Sequence, residues 1–162
     1  MMIALVADGE AVASWIYQPA RDAMYTAVLG AGATRNGDPL RVSPNRSEVH
    51  AELRGDVLRR FLPDDLRSCV DGAAHRFASV DAGTKCAGID YPSLIDGGRD
   101  FIVYWRTLPW DHVPGALLLT EAGGVAVRVT GEPYVAASPG DGLIAAANAP
   151  IAATIMKSLL GL

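Results

Sequence analysis

Two dipeptides, Asp8-Gly9 and Asn36-Gly37, constrain this chain more than any other feature. Each pairs a residue that tolerates the left-handed region with a glycine, the signature of a tight hairpin turn. Short runs of β-formers around them divide residues 1–44 into an antiparallel β-meander. Strands are expected over 3–7, 12–17 and 24–28, with a turn over 18–22 that contains Pro19. Gly30 and Gly32 interrupt the pattern, and a strand over 40–42 closes the set. The chain opens inside an apolar strand without a lead-in, a hint that a segment upstream is missing.

After residue 44 the periodicity changes. Leu53, Val57, Leu58 and Phe61 recur at helical spacing and predict a helix over 52–61, stopped by Pro63. Asp64 and Asp65 start a second helix over 66–77, which makes an αα unit with a solvated charged exterior. From residue 78 the elements alternate. The expected order is a strand at 78–80, a helix over 87–95 ended by Gly97-Gly98 and a buried strand over 100–105. A helix over 111–122, a strand over 125–129, a polar loop over 130–142, a strand over 143–147 and a helix over 149–160 follow. The expected fold class is therefore α/β: an N-terminal antiparallel meander (1–44) completing a first sheet, then a mixed-sheet α/β layer (45–162), in one continuous fold.

Composition excludes several function classes. The 162 residues match about one domain, and 50% are hydrophobic, enough for a sizeable core. The net charge is −4 and no basic patch stands out, so nucleic acid is not an expected partner. No apolar run approaches the ~20 residues that span a bilayer, so no membrane partner is expected. His50, His75 and His112 lack zinc-ligand spacing. Cys69 and Cys86 stand well apart and read as reduced thiols of a cytoplasmic protein. Gly30-Ala31-Gly32 opens no helix and is no dinucleotide fingerprint. Lys85 beside Cys86 could lower a thiol pKa, but no second catalytic partner accompanies them.

The stretch 108–124, Leu-Pro-Trp-Asp-His-Val-Pro-Gly-Ala-Leu-Leu-Leu-Thr-Glu-Ala-Gly-Gly, carries the chemistry. Asp111 is expected at the N-cap of a buried helix, with Pro114 in its first turn. A buried helix start presents free N–H donors and a partial positive charge, which stabilise a carboxylate. Such an aspartate serves either as a cap alone or as a cap that also offers an oxygen to a metal. Trp110 reads as a packing residue, and His112 as an exposed or helix-start histidine.

Taken together, Trp110-Asp111, Gly115, and Glu121-Ala122-Gly123-Gly124 resemble the C-terminal signature of the inositol monophosphatase family, W-D-x-A-x-G followed by an apolar helix and E-A-G-G. Val113 stands where alanine is usual. The resemblance extends along the chain. Residues 17–27 are similar to a strand–turn–strand of the family. Residues 30–43 resemble G-x-G-A-x-x-N-G-x-P-L-x-V-S, and residues 143–150 resemble the closing strand and A-A-N-x-P. The resemblance implies the later part of a layered αβαβα sandwich and a Mg²⁺-dependent phosphomonoesterase acting on a small phosphorylated substrate. It implies that Asp111 coordinates Mg²⁺ and contacts a substrate hydroxyl. Residues 85–90 fall where the family has G-[ST]-A-A-x-[DN], so Ala87 lines the substrate pocket. Tyr104 stands at the pocket-wall position that is acidic in the family, seven residues before Asp111.

The upstream G-E-E segment and D-P-x-D-G-T loop, which supply most metal ligands in the family, do not occur in this sequence. One carboxylate cannot hold two or three Mg²⁺ ions, so this chain alone is expected to be inactive. The chain reads as a C-terminal portion of such an enzyme, as a non-catalytic remnant used for binding or assembly, or as half of a split enzyme. Without the first helices, an apolar sheet face and a free edge would remain open. This predicts a homodimer or other self-association.

Overall fold

A computed structural model describes residues 1–43, 49–137 and 140–162. The boundary drawn at 44–45 and part of the polar loop over 130–142 lie outside the described residues.

The meander forms as its turn signals require. Strands β1 (Met2–Ala7), β2 (Glu10–Gln18), β3 (Ala23–Val28), β4 (Gly32–Arg35) and β5 (Asp38–Leu40) make one antiparallel sheet in that order. Asp8, Gly9, Asn36 and Gly37 all adopt positive φ at the two hairpins. Alternation sorts the side chains. Ser14 faces Ala27, Ile16 faces Tyr25 and Gln18 faces Ala23 on the buried side. Ile3 pairs with Trp15 on the opposite side, and both are exposed.

The second sheet has the order β7-β6-β8-β10-β9, from β6 (Arg54–Val57), β7 (Ser79–Asp81), β8 (Phe101–Tyr104), β9 (Val125–Arg128) and β10 (Leu143–Ala146). Strand β6 runs parallel to both neighbours, whereas β10 pairs antiparallel with β8 and β9. Helices α2 (Ala87–Ile95) and α3 (Pro109–Glu121) lie between the sheets, packed against β2 on one side and against β8 and β9 on the other. Helices α1 (Asp64–Ala73) and α4 (Ala149–Thr154), the latter continued by a π-helical turn at Ile155–Leu160, belong to the second sheet's outer layer. The layers follow as β-α-β-α, with one continuous core. Leu118 and Leu119 are fully buried between the sheets, each contributing about 1.5–3 kcal/mol of apolar burial.

The expected helix over 52–61 is a strand instead. Gly55, Asp56 and Val57 are buried in succession on an interior strand between β7 and β8, where both faces are covered. A Cβ at Gly55 would run into the Phe101 ring, so close strand packing, not helical periodicity, sets the residue there. The expected αα unit therefore reduces to α1 and short 3₁₀ turns.

The start of α3 also differs from expectation. The cap position falls on Leu108, Pro109 occupies the first helical position, and Asp111 lies within the first turn. Pro114 sits inside the helix, one turn further on than expected.

Candidate active site

Helices α2 and α3 meet through a glycine. The Tyr91 ring of α2 occupies the space that a Cβ on Gly115 of α3 would need. Ala87 precedes Tyr91 by one turn, and Asp111 precedes Gly115 by one turn, so both stand on the facing stripes at the same end of the helix pair. Strand β1 reaches this end too. Met2 touches the place of a Cβ on Gly88, and it lines a groove with Pro109, Trp110, Val113 and Pro114. The structure thus brings Ala87 and Asp111 to two adjoining helix starts, beside the open edge of the first sheet. First-turn N–H groups and aligned helix dipoles there favour an anion.

The Asp111 carboxylate is half-buried and makes no hydrogen bond among the described residues. Its main-chain N–H donates to the Leu108 carbonyl at 3.0 Å, so the side chain is not consumed in capping. Trp110 is 68% exposed and is no packing residue within this chain.

Tyr104 is brought close but faces inward. Its hydroxyl donates to Asp90 Oδ2 at 3.3 Å, and its ring centroid lies 4.4 Å from that of His112. Burial pushes the Tyr104 hydroxyl well above the ordinary tyrosine range, so it remains a neutral donor.

Sequence reasoning missed the groups that hold this site. Asp90 is buried in α2 and accepts from the Thr84 N–H at 3.3 Å and the Thr84 hydroxyl at 2.5 Å. Cys86 N–H in turn donates to the Thr84 hydroxyl at 3.3 Å. This chain ties the turn before α2, where Lys85 holds a positive φ of 62°, to the helix body. Desolvation by burial, partly offset by the Thr84 bonds, holds the Asp90 carboxyl above its ordinary range. A half-buried ion pair sits alongside: Arg99 Nε donates to the buried Asp56 Oδ1 at 2.9 Å. Its members lie 43 residues apart, and no local spacing signals them.

His112 is buried, contrary to expectation, and burial lowers its pKa to about 4. Its Nε2 lies 3.2 Å from the Arg106 carbonyl and its Nδ1 lies 3.4 Å from the Tyr91 hydroxyl. A carbonyl only accepts, so Nε2 carries the proton and Nδ1 accepts from Tyr91.

These residues do not by themselves fit a Mg²⁺ ion. Among the described residues no group of three histidine, cysteine or acidic side chains is placed to hold a metal, and Asp111 is a single free carboxylate. Octahedral Mg²⁺ bound through one such group would be weakly held.

The sequence profile described as the inositol monophosphatase family matches residues 1–160. The chain belongs to that family. Rat inositol monophosphatase 1 is 32% identical over 165 residues, which cover 97% of this chain and 57% of the rat protein. A putative Nus factor SuhB of Neisseria meningitidis is 31% identical over 161 residues, 96% of this chain and 59% of that protein. Among solved structures, the inositol monophosphatase of Anabaena superposes with a TM-score of 0.82 at 28% identity, covering 99% of this chain and 65% of its own. The chain thus spans between half and two thirds of the length of these family members. The α/β fold, with its antiparallel sheet and mixed sheet, matches theirs.

Proposed function

We propose that this chain is the C-terminal portion of a Mg²⁺-dependent phosphomonoesterase that hydrolyses a small phosphorylated polyol, sugar or similar monoester, and that it is inactive alone. The observation that carries the reading is the position of Asp111, an uncommitted carboxylate in the first turn of a buried helix, facing the start of a second helix. Relatives named as inositol monophosphatases, and as fructose-1,6-bisphosphatase/inositol-1-monophosphatase in Thermotoga maritima, support the substrate class. Mg²⁺ would supply charge neutralisation at the phosphoryl group and an activated water. Within this chain Asp111 would be one ligand among several, the others coming from a segment bearing G-E-E and D-P-x-D-G-T. Ala87 and the start of α2 would border the substrate. Tyr104, through Asp90 and Thr84, would fix that border and present no negative charge to the substrate.

The open edge of β1 and the apolar face bearing Ile3, Leu5 and Trp15 support self-association, a homodimer being the simplest form. No helix among the described residues is long and apolar enough to cross a membrane. Cys69 and Cys86 are both free and exposed, which fits a reducing, cytoplasmic location.

A second reading is a non-catalytic remnant or assembly module, and the relatedness to a protein named as a putative Nus factor favours it. Fusing a relative's segment with both missing motifs to Met1 separates the two. The expected result is Mg²⁺-dependent phosphate release by the fusion, none above background by the chain alone, and a loss of at least ~100-fold in Asp111→Asn, since that side chain holds the metal. A folded fusion without activity, or one indifferent to Asp111→Asn, would leave the assembly reading in place.

A further inference from the structure

Strands β6 and β8 run parallel, with Val57 beside Val103, so the segments that leave them emerge at one end of the second sheet. The Leu58 N–H donates to the Val103 carbonyl at 3.0 Å and holds those two exits together. There Phe61 stands 41% exposed. The Arg106 guanidinium carbon lies 4.2 Å from the Phe61 ring centroid, and that of Arg60 lies 5.2 Å from it. Two positive charges therefore share one aromatic ring.

Among the described residues neither arginine is paired with a carboxylate. Arg35, Arg59, Arg67 and Arg99 each have a carboxylate within 4 Å, whereas Arg60 and Arg106 have none among the described residues. A guanidinium attracted to a ring uses its charge there and keeps its N–H fork for an acceptor. With both guanidinium carbons within 5.2 Å of one ring centroid, two like charges repel each other unless an anion lies near both. The carboxyl ends of parallel strands are where open α/β sheets take their ligands. The Arg106 carbonyl also receives His112 Nε2, which fastens this corner to the first turn of α3.

We propose that Arg60 and Arg106, carried on Phe61, form a binding site for a tetrahedral oxyanion, separate from Asp111. The ligand is either a second phosphoryl group of a substrate or a free phosphate, and the recognising chemistry is the same. The site does not depend on Asp111 as a metal ligand.

Titration of the chain with inorganic phosphate in metal-free buffer, against chloride at equal ionic strength, tests it. Saturable binding is expected, weakened at least tenfold in Arg60→Gln and in Arg106→Gln. It should be unchanged in Arg35→Gln, whose guanidinium pairs with Asp96 elsewhere. Asp111→Asn should retain binding, which separates this site from the metal reading. Circular dichroism checks that the exposed arginine variants stay folded. A hexose bisphosphate binding at least tenfold tighter than the monophosphate identifies a substrate phosphoryl group; equal affinities identify a free oxyanion. Absence of saturable phosphate binding, or binding undiminished in both arginine variants, overturns the proposal.

Discussion

The Tyr104 hydroxyl donates to the Asp90 carboxylate at 3.3 Å, in a site where both residues are almost closed to water. Thr84 completes the cage from the other oxygen. Burial raises the Asp90 pKa above that of the unfolded chain, so the folded state holds the proton more tightly. Stability then declines as pH rises from the ordinary carboxylate value through the raised one, and stays at the lower level above it. Asp90→Asn removes the buried charge while keeping an acceptor for Thr84. It should flatten that decline and raise the urea midpoint at pH 7. Asp90→Ala leaves the buried Tyr104 hydroxyl without its acceptor and should cost about 1–3 kcal/mol. Urea melts of the three proteins between pH 4 and pH 7 check both signs.

Glu121 closes a different joint. Its two carboxylate oxygens accept from the Gly30 and Gly32 N–H groups, each at 2.8 Å, and its carbonyl accepts from Arg41. The turn between β3 and β4 is thereby pinned to the end of α3. Glu121→Ala should lower stability by about 2 kcal/mol, the worth of two charge-assisted bonds discounted for partial exposure. Glu121→Gln should retain about half, because its amide oxygen accepts only one of the pair. A denaturation series on the two variants, with an unchanged m-value, is the check.

Gly115→Ala tests the contact that aligns the two helix starts. The added methyl meets the Tyr91 ring, and overpacking of that kind costs about 1–3 kcal/mol. Gly72→Ala in α1 is the contrast, because nothing lies within 4 Å of its Cβ. That change should stabilise by up to about 1 kcal/mol through helix propensity. Thermal melts with opposite shifts for the two alanines are expected. A neutral Gly115→Ala would show that the helices can separate without cost.

The outer face of the first sheet predicts behaviour in solution. Ile3, Leu5 and Val6 are 49%, 56% and 45% exposed on an edge strand without charge or proline. The chain should self-associate at micromolar concentration. Ile3→Lys with Leu5→Lys should shift it toward monomer, because an edge lysine blocks strand pairing. Light scattering reads the outcome, and a monodisperse monomer of the unaltered chain would count against it.

The meander was legible because its turns are local: Asp8-Gly9 and Asn36-Gly37 need only two residues to set a hairpin. Helix α2 matched its expected span for the same reason, with glycines marking its end. Strand β6 was misread because Leu53, Val57 and Phe61 keep a helical interval, whereas Leu53 and Val57 are buried by neighbours on both sides and Phe61 is exposed. Asp111 was singled out by its motif as a helix cap, yet it lies inside the first turn because the helix begins at Pro109.

Apart from β4 and β6, the order of strands and helices, together with the family and the lone carboxylate of the Trp-Asp pair, follows from residues close in sequence, since turns, caps and motifs act over a few positions. The pairing of Asp90 with Tyr104, of Asp56 with Arg99 and of two arginines on Phe61 joins residues from separate strands and helices. Only packing of the two sheets around α2 and α3 brings them within reach, because hydrogen bonds and ring contacts act over a few ångströms and carry no trace in local spacing.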